Sequence, residues 1–220
     1  MSNFAIQYQL NLGMEEMAII HACNISDDHT YKVYHHANHV PLGWIPVGTV
    51  EFCEGVYNQS FTPDYYPKFL SKHLHRRVWV SKDWDQSRGI FVKPADRYKR
   101  FDGFVTLGGY RRKKRGPYWF SERINFLSEW RYYIANGKVL TSEWYESPIE
   151  KDAPPIDHID IPSNYCGAID FGETDEGKFA LVEAQHPYAI GWYAKDSKAY
   201  LKFILEGYKY LQNLPIMKTN

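Results

Sequence analysis

The sequence predicts an α+β fold in which two lobes share a cleft. The chain of 220 residues is long enough for one compact domain or two small lobes, and 44% of its residues are hydrophobic. Patterns typical of antiparallel strands fill the middle and end of the chain, with helical patterns before and after them. Such segregation is typical of α+β proteins, whereas parallel α/β folds alternate strands with helices.

The composition excludes several classes of protein. Lys+Arg and Asp+Glu both number 26, so a general polyanion-coating protein is not expected and any nucleic-acid contact would come from a local patch. No apolar stretch is long enough to cross a membrane, and the N-terminus lacks the basic and apolar regions of a secretion signal. Three cysteines without a CxxC pair indicate a reducing compartment. These features predict a cytoplasmic protein with no membrane partner.

The first third of the chain has the weaker patterns. Alternating or β-branched apolar residues favour strands, and a proline followed by apolar residues on one face favours a helix. Four of the nine histidines lie between residues 29 and 39, where a polar surface loop is preferred to a metal site. The elements predicted in order are a strand at 4–10, a helix at 15–23, a strand at 47–52 and a helix at 63–74.

Clearer strand patterns follow from residue 77 onward. Asn136-Gly137 is the dipeptide that type I′ turns prefer, and it closes the clearest hairpin. A second hairpin is predicted around residues 174–177, and Asp196 is predicted to cap a closing amphipathic helix. Residues 103–107 and 118–121 are predicted to be antiparallel partners. The predicted strands are 77–80, 89–92, 103–107, 118–121, 128–134, 138–145, 165–171 and 178–182.

A lysine lies where an apolar strand ends. Lys93 follows the run GIFV and precedes Pro94. A partly desolvated ammonium there would suit a phosphate oxygen, although a strand-end lysine that reaches solvent is an equal alternative. Lys99 and Arg100 follow, and two cationic positions that flank a turn are compatible with a polyphosphate.

An acidic hairpin offers oxygen ligands. If Thr174 lies opposite Phe179, then Asp170 lies opposite Glu183 on the same face of the sheet. Like charges in this position are destabilising unless something positive lies between them. Gln185 shares the face, and two carboxylates with an amide oxygen suit Mg²⁺ held jointly with phosphates. A solvated acidic hairpin is the alternative.

Two further charged groups remain open to interpretation. Glu129 and Arg131 point the same way along one strand, so they either form a structural ion pair or jointly face a site. The basic run Arg111–Arg115 lies in a glycine-flanked loop. Most such runs are simply solvated, although this one could close over an anionic ligand or contact nucleic acid.

Taken in order, these features resemble a known family. The segments that match are PVGTVEF, RGIFVKPA, KRFDGF, WFSERINFLSEWRYYI and AIDFG with FALVEAQHP. The chain is similar to ATP-grasp proteins of the divergent Arg-to-Lys clade of bacteria and phages, which is related to the eukaryotic assembly factor of translation initiation factor 2. The resemblance implies a shortened N-terminal lobe at 1–86 and a nucleotide-binding core at 87–220, with the cleft between two lobes of antiparallel sheet.

The resemblance also implies roles for individual residues. Lys93 would be catalytic and hold the α- and β-phosphates of ATP, with Lys99 nearby, and Arg131 would lie over the phosphates or an acyl-phosphate. The family usually has asparagine where this chain has Gln185, which offers the same oxygen on a longer arm. The adenine edge would meet the backbone of Ser121, Glu122, Arg123 and Ile124, and Mg²⁺ would be held by Asp170, Glu183 and Gln185.

The function implied is that of an ATP- and Mg²⁺-dependent carboxylate–amine ligase. Its acceptor would be a small molecule, a peptide or a protein. One alternative is an ATP-binding assembly protein of the same fold without turnover, in which the aromatic surface and the basic loop contact a macromolecule. Another is an aromatic-rich β-protein of a different fold that binds sugars or bases.

Overall fold

The computed structural model describes residues 1–62, 64–84, 87–96, 100–108, 116–146 and 148–214. Within these ranges the chain forms three sheets and three α-helices, which confirms the predicted α+β class. The described part of the chain contains no helix with the length and apolar character needed to cross a membrane.

The first sheet is parallel, with strand order β2-β1-β3. Its strands are β1 (Ser2–Gln7), β2 (His29–Tyr34) and β3 (Ile45–Val47). This differs from the expectation of antiparallel sheets in both lobes. The reason is helix α1 (Met14–Asn24), which crosses over between β1 and β2 and so brings them together in the same direction.

Two predictions in this region were wrong in part. The strand expected at 47–52 ends at Val47, and helix α2 (Val50–Tyr57) begins after Thr49, whose side chain accepts a hydrogen bond from Phe52 N at 3.3 Å. This N-cap outweighs the β propensity of the valines. The helix expected at 63–74 is shortened to a 3₁₀ helix at Lys68–His73, because Pro67 is extended and also disfavours a helical residue before it.

The second sheet is antiparallel, with strand order β4-β7-β5-β6. The predicted pairing of 103–107 with 118–121 was wrong, since β5 lies between the two strands and pairs with both. The ten residues 108–117 are long enough to pass from one edge of β5 to the other. The strands are β4 (Val78–Ser81), β5 (Arg88–Pro94), β6 (Phe104–Leu107) and β7 (Tyr118–Glu122).

The third sheet is built from the two predicted hairpins, with strand order β11-β10-β8-β9. Asn136 and Gly137 have φ values of 51° and 70°, as a type I′ turn requires. Helix α3 (Ser197–Gln212) is capped as expected by Asp196, whose carboxylate accepts from Lys198 N and Ala199 N. The strands are β8 (Phe126–Ala135), β9 (Lys138–Glu146), β10 (Gly167–Thr174) and β11 (Phe179–Gln185).

A β-bulge in the second hairpin decides which side chains share a face. Phe171 lies opposite Leu181, but Asp170 lies opposite Glu183, so Val182 is the extra residue. Leu181 and Glu183 therefore point to opposite faces of the sheet, although they are two residues apart. Leu181 is fully buried in the core, and Glu183 lies on the other face with Asp170.

The third sheet is buried on both faces. One face packs on the first sheet, α1 and α3 through a cluster that includes Phe4, Tyr133 and Phe203. The opposite face covers a second cluster around Trp130 and Phe171. The boundary at residues 86 and 87 stays a prediction, and β4 lies before it while pairing with β7 beyond it.

Candidate active site

A cleft of about 400 Å³ lies between the second and third sheets. This volume is within the range of small-ligand sites in proteins. One part of the cleft is apolar and another is charged, so it suits a ligand with a flat ring at one end and charge at the other. We call it the central cleft, and its walls are formed by Tyr66, Arg76, Phe91, Lys93, Val105, Ser121, Arg123, Ile124, Asn125, Phe126, Glu129, Val182 and Glu183.

Lys93 and Glu183 meet at the charged end. Lys93 is near the end of β5 in the second sheet, and its Nζ donates to Glu183 Oε2 on β11 of the third sheet. The same ammonium lies 3.9 Å from the ring centre of Tyr65 and 4.9 Å from that of Tyr66. The side chains are 12% and 19% exposed, so a cation and an anion from different sheets face the same cleft.

Asp170 is paired with Arg131 instead. Arg131 Nε and Nη2 donate to the two carboxylate oxygens at 2.8 and 2.6 Å, and the Asp170 side chain is 1% exposed. The guanidinium lies between the rings of Tyr145 and Tyr193, at 5.1 and 5.2 Å from their centres. Burial lowers the pKa of Arg131, but the charge and hydrogen bonds of Asp170 more than offset this and raise it overall. The pair is therefore ionised.

These two pairs resolve the expected repulsion between Asp170 and Glu183. The residues do lie opposite one another, and each carboxylate has its own cation. Arg131 and Asp170 lie behind the charged end, outside the cleft wall.

The predicted hinge follows β7. Ser121, Arg123 and Ile124 line the central cleft. Glu122 does not, because its carboxylate accepts from Arg77 N at 2.8 Å on the neighbouring surface. Lys99 and the basic run Arg111–Arg115 lie outside the described residues.

A family model described as an ATP-grasp domain, the second family of its clade, matches residues 73–203, more than half of the chain. The chain belongs to this ATP-grasp family. No curated protein has a significantly similar sequence.

Solved ATP-grasp structures share the fold of the chain. A RimK domain protein from Sphaerobacter thermophilus has a TM-score of 0.55 and 13% identity, and the match covers 93% of this chain and 100% of that one. The D-alanine–D-alanine ligase of Bacillus anthracis, solved with ATP, has a TM-score of 0.55 and 9% identity over 98% of this chain and 100% of that one. The relation to the eukaryotic assembly factor stays a prediction.

The predicted magnesium ligands of this ATP-grasp domain lie side by side. Glu183 and Gln185 are on one face of β11, and Gln185 Nε2 donates to Glu183 Oε1. Both oxygens of Asp170 accept from Arg131, but a carboxylate offers about four acceptor positions. Among the described residues, no cluster of three or more His, Cys, Asp or Glu resembles a metal site. The donor set of two carboxylates and an amide oxygen fits Mg²⁺ in type, provided that other ligands complete the shell.

Glu129 is an ionisable group of the cleft that does not pair with Arg131. It accepts a hydrogen bond from the Tyr145 hydroxyl at 2.9 Å. Burial raises the pKa of Glu129 to about 7, and the charges of Asp170, Glu146 and Glu183 add to the effect against the opposing Tyr145 bond. The ATP-grasp cleft therefore contains a carboxyl group that titrates near neutrality.

Arg76 is a cleft residue that the sequence analysis missed. Its guanidinium donates to Leu181 O at 2.6 Å, to Val182 O at 3.2 Å and to Ser121 Oγ at 3.4 Å. Burial lowers the pKa of Arg76. Arg76 thus joins β11 to the hinge at the wall of the cleft. No motif surrounds it, and its partners are mostly backbone carbonyls that any sequence would supply.

Proposed function

We propose that this ATP-grasp domain is an ATP- and Mg²⁺-dependent carboxylate–amine ligase that acts through an acyl-phosphate. The observation behind this proposal is the meeting of Lys93 and Glu183 from different sheets at the charged end of the central cleft. A cation for phosphate and an anion for a metal are needed at one point, next to a space for a nucleoside, and this arrangement supplies all three.

The apolar part of the central cleft suits the adenine ring. Phe91, Val105 and Phe126 provide flat or branched apolar surface, and the segment from Ser121 to Ile124 provides backbone groups for the base edge. Lys93 would exchange its contact with Glu183 for phosphate oxygens. Asp170, Glu183 and Gln185 would hold Mg²⁺, which neutralises phosphate charge when bound.

The reaction needs positioning and charge stabilisation more than covalent help. An oxygen of the donor carboxylate attacks the terminal phosphorus, and the bond from that phosphorus to ADP breaks. The amine nitrogen then attacks the acyl carbon, phosphate leaves, and the nitrogen loses a proton. Lys93 would stabilise the charge on the transferred group, and Arg131 would act on the site from behind by fixing Asp170.

The experiment measures Mg-ATP binding and turnover on the purified chain. The wild type is expected to gain thermal stability with Mg-ATP by mass action and to release ADP only when a mixture of amine and carboxylate compounds is present. Lys93→Ala should lose the thermal shift, and Asp170→Asn should lose turnover. Lys138→Ala is the control, because Lys138 is exposed at the β8–β9 turn.

Three results would contradict the proposal in different ways. Equal turnover in the wild type and Lys93→Ala would exclude the site. A thermal shift without acceptor-dependent ADP release would favour an ATP-binding interaction protein. No thermal shift with Mg-ATP would exclude ATP as the ligand.

A further inference from the structure

A second cavity, of about 440 Å³, lies where the first sheet meets β11. It is bounded by the segments after β1 and β3, the start of α1 and residues 185–190. We call it the Glu16 pocket. Three glutamates line it, Glu15, Glu16 and Glu51, and no Lys or Arg is found among its described lining residues. Its charge therefore favours a cationic occupant.

Glu16 is a buried carboxylate with one unsatisfied oxygen. The residue is 3% exposed, and its Oε1 accepts from Gln9 Nε2 at 3.0 Å. Its Oε2 is buried and has no hydrogen-bond partner among the described residues. Burial raises the pKa of Glu16, and the charge of Glu15 raises it further, against two backbone hydrogen bonds that lower it. Because a buried acceptor without a donor is destabilising, this oxygen fits a donor that a ligand brings.

Gly13 leaves a gap between two carboxylates. A β-carbon on Gly13 would lie 2.6 Å from Glu15 Oε2 and 2.7 Å from Glu16 Oε2, so the two oxygens flank one point. Glu15 Oε1 is already bound by Trp192 N at 2.9 Å, which holds that carboxylate in place. A primary ammonium has three donors and is small enough to meet both oxygens.

The Glu16 pocket adjoins the charged end of the central cleft. Tyr65 lines the pocket while its ring lies 3.9 Å from Lys93 Nζ. Gln185 also lines the pocket and donates to Glu183. A group held in the pocket is thus separated from the Lys93–Glu183 pair by one side chain on each route.

We infer that the Glu16 pocket binds the primary ammonium of the amine substrate, between the carboxylates of Glu15 and Glu16. This inference rests on the proposed ligase function for the word substrate, and on the pocket alone for the ammonium. It gives the acceptor a class, a compound with a free primary amine and no anion beside it.

The test uses binding without ATP, so that it is independent of turnover. The probes are glycylglycinamide, which has an ammonium and no carboxylate, and its N-acetyl derivative, which lacks the charge. Both are titrated into the full chain, with binding followed by amide chemical shifts of Gly13 and Trp192 in NMR spectra. The wild type is expected to bind the free amine at least about tenfold more tightly than the acetylated compound, as expected for a charge-assisted contact.

Two variants remove the site in different ways. Glu16→Gln removes the charge and should abolish the preference. Gly13→Ala keeps every charge but places a methyl group between the carboxylates, and it is conformationally allowed because φ of Gly13 is −74°. It should abolish the preference as well. Glu150→Gln, an exposed carboxylate elsewhere, is the control and should keep it.

The outcomes separate this inference from the proposed function. Equal binding of the two probes by the wild type, or an unchanged preference in both folded variants, would overturn the ammonium site even if Mg-ATP is bound and turned over. A preference that both variants abolish would support it even if the thermal shift with Mg-ATP is absent.

Discussion

The two ion pairs at the active site are built in opposite ways. Arg131 and Asp170 belong to adjacent strands of one sheet, form two parallel hydrogen bonds, and are almost fully buried. Lys93 and Glu183 come from two different sheets, form one contact, and remain partly exposed at the cleft. The first pair is closed on all sides by protein, and the second faces a space that a ligand can enter.

This difference separates a structural role from an exchangeable one. A buried, bidentate pair cannot release one partner without leaving a charge uncompensated. A partly exposed single contact costs little to open, because water and incoming ligands can replace it. The comparison therefore predicts which charged residues determine stability and which determine ligand binding.

The largest effect is expected from Arg131→Met. This variant keeps a side chain between Tyr145 and Tyr193 but leaves Asp170 buried without its cation. The free energy of unfolding at pH 8 should fall by about 3–5 kcal/mol, measured by urea denaturation. Adding Asp170→Asn to the same chain should restore most of the loss, since the uncompensated charge is then gone. A single-variant loss below about 1 kcal/mol would contradict the structural role of the pair.

A smaller effect is expected from Glu129→Gln, which tests the cleft between the two pairs. The folded pKa of about 7 exceeds the ordinary value of 4.5, so the stability that Glu129 contributes is present at low pH and lost as the pH rises through this range. The variant should be more stable than the wild type at pH 8 by about 2 kcal/mol and equal to it at pH 4.

Urea denaturation at both pH values measures this difference. Glutamine can still accept the hydrogen bond from Tyr145, so the comparison isolates the charge. Glu150→Gln is the matched control and should show no such pH dependence. A stability gain at pH 4 as large as that at pH 8 would show that packing, not ionisation, is the cause.

The smallest effect on stability is expected from Lys93→Met. The variant keeps most of the apolar stem against Tyr65 and Tyr66, and Glu183 retains its contact with Gln185. The free energy of unfolding should change by no more than about 1 kcal/mol, while the thermal shift with Mg-ATP should be lost. A loss comparable to that of Arg131→Met would remove the distinction between the two pairs.

Local pattern was enough to predict most of the elements. The hairpin at Asn136-Gly137, the helix capped by Asp196 and the strand that ends near Lys93 all depend on residues close together in sequence. The strand expected at 47–52 failed because one hydrogen bond from Phe52 N to Thr49 starts a helix there. Pairing between strands was harder, since the place of β5 between β6 and β7 is a matter of tertiary packing.

The opposition of Asp170 and Glu183 was predicted, but through a register that holds only in part. The structure pairs Glu173, not Thr174, with Phe179, and the bulge at Val182 returns Asp170 to Glu183. A bulge of one residue leaves no clear mark in the sequence. The partners of the two carboxylates were likewise hidden, because Arg131 and Lys93 reach them from other strands.

Tyr65 has a consequence beyond its contacts. Its ring belongs to the wall of the Glu16 pocket and also lies against Lys93. A ligand that shifts this ring from one side alters the space on the other. Reciprocity then applies: any factor by which nucleotide changes the affinity for an amine is the factor by which that amine changes the affinity for nucleotide. One aromatic side chain thus suffices to make the occupancy of the two cavities interdependent, without any movement of a lobe.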